Sequence, residues 1–148
     1  MKKLLLLFVF ASLSFVACDK NDDSNNSTPP PPPPATSGTI AGTISLPPGA
    51  GGDITNTRVA IYQSFDDWNN DRVLKATATS TGGAFSLTNL TPLIYYLDAW
   101  KDNNNNTVID AGDFFGVYGS GTYPTYNLSP IQVVAGQTTT IVATIFPI

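Results

Sequence analysis

From Gly38 onward the apolar side chains return at every second residue. Ile40, Gly42, Ile44 and Leu46 alternate with Thr39, Ala41, Thr43 and Ser45. That is the pattern of a half-buried strand, whereas a helix would return them every third or fourth residue. The same pattern predicts a strand with Val59 and Ile61 set against Arg58 and Tyr62, and an edge strand over Lys75–Thr81. A further strand is expected over Ala84–Leu90, with Phe85 and Leu87 facing the core. Tyr95–Lys101, Phe114–Tyr118, Ile131–Val134 and Thr138–Ile145 complete the set, with turns at residues 47–52, 82–83 and 135–137. All 11 acidic residues are Asp and none is Glu. Asp favours turns over helix interiors, which argues against long helices. The prediction is an all-β protein, a single Greek-key-type β-sandwich of about seven or eight strands over residues 38–148, enough for one core.

A second constraint lies in Tyr95–Asp113, YYLDAWKDNNNNTVIDAGD, where a strand breaks into short oxygen-bearing side chains. With Asp102 as position one, Asn104 falls at three, Asn106 at five, Asp110 at nine and Asp113 at twelve. Val108 stands at seven, where the backbone carbonyl is the ligand. This is the spacing of a twelve-residue calcium loop. Calcium wants six to eight oxygens, and alternate residues of a tight loop turn theirs inward. Two positions depart from the usual pattern. Thr107 stands at position six, where Gly normally supplies a left-handed backbone, at a cost on the order of 1–2 kcal/mol. Asp113 is shorter than the usual Glu, so closing on the ion requires a nearer backbone. An Asn/Asp run would also turn the chain without any metal. One structural Ca²⁺ is expected on Asp102, Asn104, Asn106, Val108, Asp110 and Asp113.

Residues 1–17 read as a targeting segment: Lys2 and Lys3 precede the apolar Leu4–Val16, which is too short to span a bilayer. Phe15-Val16-Ala17-Cys18 resembles the lipobox of a bacterial lipoprotein, with Phe15 where Leu, Val or Ile is usual. The resemblance implies cleavage before Cys18 and acylation of its thiol and amine, and several acyl chains on one residue hold a protein firmly to a membrane. Cys18 is the only cysteine, so no disulfide forms within the chain. Residues 18–37 are then the lipidated Cys and a disordered acidic, Pro-rich tether with almost nothing apolar to pack. Pro29–Pro34 would form a polyproline II spacer at ~3.1 Å per residue, roughly 20 Å in all. Asp19-Lys20-Asn21-Asp22-Asp23 resembles an acidic signal that sends lipoproteins to the outer face of the outer membrane. An Asp directly after the Cys marks retention in other sorting systems. The expected location is the bacterial cell envelope, lipid-anchored, on the outer-membrane outer face.

Five segments carry a wider resemblance: Gly38-Thr39-Ile40-Ala41-Gly42, Val59–Tyr62, Gly83-Ala84-Phe85-Ser86-Leu87, Asn89-Leu90-Thr91-Pro92 and Tyr95–Trp100. In this order they resemble the carboxypeptidase regulatory-like domains, within the broader transthyretin-like (prealbumin-like) and collagen-adhesin B-type sandwiches. The likeness covers residues 38–102, and a branch with a calcium-loop insertion extends it to Asp113. Leu93-Ile94 departs from the pattern, which usually has Gly after the Pro. The family implies the sandwich but not a function, because such domains serve as linkers, stalks and accessory modules.

Chemistry is constrained by what the chain lacks. Without His the usual triads and most zinc sites are excluded, and Cys18 is committed to lipid. Asp66 and Asp67 are neighbours in a turn, expected to be solvated or to cap a short helical turn after Ser64 rather than to work as a catalytic pair. The chain is therefore expected not to be an enzyme. Its net charge is −4, with no basic patch, which argues against nucleic acid. Trp68, Tyr118, Tyr123 and Tyr126 stand in loops rich in Asn, Asp and Gly, where aromatics could stack on sugar rings or simply cover the sandwich ends. Three functions stay open for a monomeric chain: a surface structural or adhesion module, a carbohydrate-binding accessory lipoprotein, and a periplasmic assembly protein. The expected partners are the membrane, through Cys18, and a glycan or surface protein.

Overall fold

The computed structural model describes residues 31–148. The expected targeting segment, Cys18 and the tether up to residue 30 lie outside the described residues. Residues 31–37 carry neither helix nor strand, and Pro33–Ile148 form a compact unit.

The smaller sheet has the order β10-β1-β4, formed by β1 (Gly38–Ser45), β4 (Ala84–Leu90) and β10 (Thr138–Thr144). The larger has the order β11-β6-β5-β2-β3. Its strands are β2 (Arg58–Tyr62), β3 (Lys75–Ala78), β5 (Ile94–Lys101), β6 (Phe114–Val117) and β11 (Phe146–Pro147), and β9 (Ile131–Gln132) pairs with the start of β5. The chain crosses between the sheets from β3 to β4 and back from β4 to β5. This is the predicted all-β sandwich, with eleven strands among the described residues instead of seven or eight. The additions are β11 and a separate hairpin of β7 (Gly119–Thr122) and β8 (Thr125–Leu128). The pattern of β7, Gly-Ser-Gly-Thr, has no apolar residue to reveal it.

The core lies between the sheets. Ile40 and Ile44 of β1, Phe85 and Leu87 of β4, and Ile141 of β10 meet Val59, Ile61, Leu97 and Ala99 of the larger sheet. Each large aliphatic side chain buried here contributes about 1.5–3 kcal/mol. Gly42 stands at an inward-facing position of β1 but adds no side chain. A Cβ there would come within 1.9 Å of the Ile141 carbonyl oxygen, where β1 and β10 run parallel.

One expectation is corrected at β2. The alternation set Arg58 and Tyr62 against the buried pair Val59 and Ile61, yet Val59, Ala60, Ile61 and Tyr62 are all buried. The outer face of the larger sheet is itself covered, by α1 (Phe65–Asn69) and the β7–β8 hairpin. The short helix follows Ser64, whose hydroxyl accepts the Asp67 N–H at 3.0 Å, so the cap is Ser64 itself and not the Asp66–Asp67 pair.

Candidate functional site

Pairing across the larger sheet aligns side chains in rows on its outer face. Arg58, Trp100 and Phe115 form one row, and Ala60, Asp98 and Val117 the next. Small Ala60 stands beside Asp98. From above, α1 lowers Trp68 and β8 lowers Tyr126 onto these rows. The rings of Trp68 and Tyr126 meet edge to face at 6.2 Å, and those of Tyr126 and Phe115 at 5.3 Å. Between them opens a cleft of about 530 Å³, with Tyr123, Thr107 and Ile109 on its rim. Its size is that of a small-molecule site, and its lining has the usual composition of apolar walls with a few polar groups.

Asp98 is the polar centre of this surface and is only 3% exposed. Its Oδ2 accepts from Tyr62 Oη at 2.9 Å and from Trp68 Nε1 at 3.1 Å. Its Oδ1 has no hydrogen-bond partner among the described residues, and neither does the buried Tyr126 Oη. Buried polar atoms are nearly always paired, so two orphans on residues of one cleft mark it out. Burial pushes the Asp98 carboxyl up to about 6, although the charge of Arg58 and the bonds from Tyr62 and Trp68 pull it down. Burial also raises the Tyr62 hydroxyl, with the negative charge of Asp98 adding to it, and raises Tyr126 to about 12. Arg58 lies 3.4 Å from Asp71 at the cleft edge.

Three of the four aromatics singled out from the sequence, Trp68, Tyr123 and Tyr126, meet at this cleft. Tyr118 does not. Its side chain packs against the hydrophobic core, and its N–H donates to the Leu97 carbonyl at 2.9 Å. Asp98, Trp100, Phe115 and Arg58 were not anticipated. The available signal was a charged residue inside an apolar strand, Leu97-Asp98-Ala99.

The Asn/Asp loop adjoins the cleft through Thr107 and Ile109. Thr107 adopts a φ of 63°, the left-handed backbone that position six of a calcium loop demands. The Asp102 carboxylate accepts the Asn106 and Thr107 N–H groups at 3.3 and 2.8 Å. Asn104 and Asn106 both donate their side-chain amides to Asp110, at 3.2 and 2.7 Å, while Val108 is exposed. Asp113 is buried and tied to Asp110, whose carbonyl accepts the Asp113 N–H at 3.2 Å. It accepts Trp100 Nε1 at 2.9 Å and the Asn103 N–H at 3.0 Å, stapling the end of β5 to the start of β6. Among the described residues no three carboxylates gather as a ready-made metal cluster. The donor set still fits calcium in chemistry and backbone shape, provided Asn104 and Asn106 turn their amide oxygens inward. Asp113 would have to serve through lone pairs that its N–H donors leave free.

Set against known proteins, the chain matches no family model, no curated protein and no solved structure. Among the described residues no helix is long and apolar enough to cross a membrane.

Proposed function

We propose that this chain is a non-enzymatic, lipid-anchored module of the bacterial cell envelope, a surface adhesion domain that binds carbohydrate in the cleft over its larger sheet. The observation that carries this reading is the meeting of Trp68, Tyr123 and Tyr126 with Trp100 and Phe115 around two unpaired buried polar atoms. Flat aromatic faces suit the apolar faces of sugar rings, and a few fixed polar groups suit the hydroxyls at their edges. An all-β sandwich is compatible with the resemblance to carboxypeptidase regulatory-like domains, and anchoring through Cys18 would present the cleft to the exterior. Asp102, Asn104, Asn106, Asp110 and the Val108 carbonyl, with Asp113, would hold one Ca²⁺. Its chemistry there is structural, neutralising the loop carboxylates and fixing the wall formed by Thr107 and Ile109.

The test is a glycan array probed with a soluble form that begins after Cys18, with calcium and with chelator. Binding is expected to a restricted set of sugars and to be lost in Trp68→Ala and Tyr126→Ala. A blank array from a folded protein would remove the carbohydrate reading. Cys18→Ala is expected to release the protein from the membrane fraction, and its normal recovery there would remove the anchor.

A further inference from the structure

We infer that the sugar unit taken by the cleft carries a protonated amine, selected by the buried carboxylate of Asp98 beneath a ring of aromatic faces. The inference rests on the carbohydrate reading above and names the ligand's charge.

Three observations point the same way. The first is the charge balance of the lining. Arg58 is its only cation among the described residues and stands against two carboxylates, Asp71 at 3.4 Å and the buried Asp98, so the lining as a whole keeps one net negative charge. The second is the bonding of that carboxylate. Tyr62 and Trp68 occupy Oδ2, and Oδ1 has no donor among the described residues. A buried charge without a full set of donors is costly, and a positive ligand offsets that cost where a neutral hydroxyl would leave the charge in place. The third is the walls. Trp68, Trp100, Phe115, Tyr123 and Tyr126 offer aromatic rings around the same space, and such rings attract cations most strongly where water is excluded.

The groups facing Asp98 are Arg58 and Tyr62 from β2, Trp68 and Asp71 from α1 and the turn after it, and Tyr126 from β8. With Asp98 raised to about 6, its charge is mostly present at pH 7 and mostly lost at pH 5. An amine stays protonated at pH 5. A preference that fades between pH 7 and 5 therefore reports the carboxylate and not the ligand.

The experiment titrates the purified full-length chain with the β-1,4 dimer of glucosamine and with cellobiose, which carries a hydroxyl in place of each amine. The readout is intrinsic fluorescence, since both tryptophans of the chain line the cleft. The expected result at pH 7 is about tenfold tighter binding of the amine, falling severalfold at pH 5, where the aromatic walls alone still favour the cation. Asp98→Asn should weaken the preference at pH 7 in the same way, and the pH series on the unaltered chain tests the same point without a substitution. Equal affinity for the two dimers would overturn the amine inference and leave the carbohydrate reading standing. Binding of neither by a folded protein would overturn both. An amine preference that is undiminished at pH 5 or in a folded Asp98→Asn would overturn the role of Asp98. Butylammonium binding as tightly as the glucosamine dimer would overturn the sugar and leave only the charge.

Discussion

The two faces of β5 carry similar side chains into different surroundings. Tyr95, Leu97 and Ala99 point into the core between the sheets and are essentially without exposed surface. The Tyr95 hydroxyl on that face donates to the Thr91 carbonyl at 2.8 Å, and at the end of the strand Lys101 Nζ donates to the Thr55 carbonyl at 2.6 Å. Tyr96, Asp98 and Trp100 point the other way, beneath α1 and the β7–β8 hairpin. Asp98 is as deeply buried there as its neighbours across the strand, yet it keeps a carboxylate with an unpaired oxygen. One face of the strand is shaped for stability. The other keeps an incompletely paired carboxylate and a polar, aromatic surface.

The largest expected effect lies on the core face. Leu97→Ala removes a fully buried side chain and should cost about 4 kcal/mol in urea unfolding. Trp68→Ala on the outer face removes a partly exposed ring and should cost clearly less. If the two losses are equal, both sides of β5 are core and the contrast fails.

Next comes the pH dependence of Asp98. In the folded chain its carboxyl titrates at about 6, against an ordinary value of 3.8 when unfolded. Between these values the folded state binds more protons, so stability falls as pH rises through that window. The contribution is fully present below about pH 4 and lost by about pH 7, up to roughly 3 kcal/mol. The chain has no histidine, which leaves the stretch from pH 5 to 7 unusually clear for this reading. Asp98→Asn should flatten the curve there. A flat curve in the unaltered chain would show that Asp98 is solvated after all, and that the outer face is not truly buried.

Calcium should act at the edge of the outer face. At ~1 mM it would add roughly 2.7 kcal/mol for a ~10 µM site, or about 1–1.5 kcal/mol for a site near ~10⁻⁴ M. Asp102→Ala should abolish the rise in melting temperature, and Asp53→Ala should leave it intact. Asp113→Ala is less clean, because it also strips Trp100 Nε1 and the Asn103 N–H of their acceptor. Magnesium should substitute poorly, since it demands a tighter octahedron. Identical melting curves in calcium and chelator would reduce the loop to a turn held by its own hydrogen bonds.

The contrast between the faces also explains what could be read in advance. The core face was legible because Ile40, Ile44, Phe85, Leu87 and Leu97 announce themselves by alternation within single strands. The turn of the Asn/Asp loop was legible for a similar reason: its ligand spacing and the left-handed Thr107 are local features. The cleft is assembled from segments as far apart as Arg58 and Tyr126, and no short window contains it. Asp98 was in plain view, but alternation alone assigns an outward position to solvent. Its burial depends on a hairpin whose first strand, Gly119–Thr122, has no apolar residue. Tyr118 was misplaced because nothing in the Tyr-rich segment shows where the chain leaves the sheet. It leaves one residue later, at Gly119, whose φ of 153° and contact with the Asn127 carbonyl leave no room for a Cβ.

The smallest effect should come from Ser64. Its backbone is extended, its hydroxyl accepts the Asp67 N–H, and the same oxygen donates to Asp67 Oδ2 at 2.6 Å. Ser64→Ala removes both bonds, and an N-cap of this kind contributes about 1 kcal/mol. The helix it starts has five residues and buries none of them fully, so little of that loss should reach global unfolding. It should appear as local opening. The amides of Trp68 and Asn70, which donate to the carbonyls of Ser64 and Asp66 at 3.1 Å, should exchange with solvent roughly fivefold faster. Amides of β5 should be unchanged, and Ser64→Thr, which keeps a hydroxyl both to accept and to donate at the cap, should restore protection. If β5 amides accelerate in step with those of α1, the helix is part of one cooperative unit with the core. The outer face would then unfold only with the whole molecule, and the division between the two sides of β5 would be one of chemistry and not of stability.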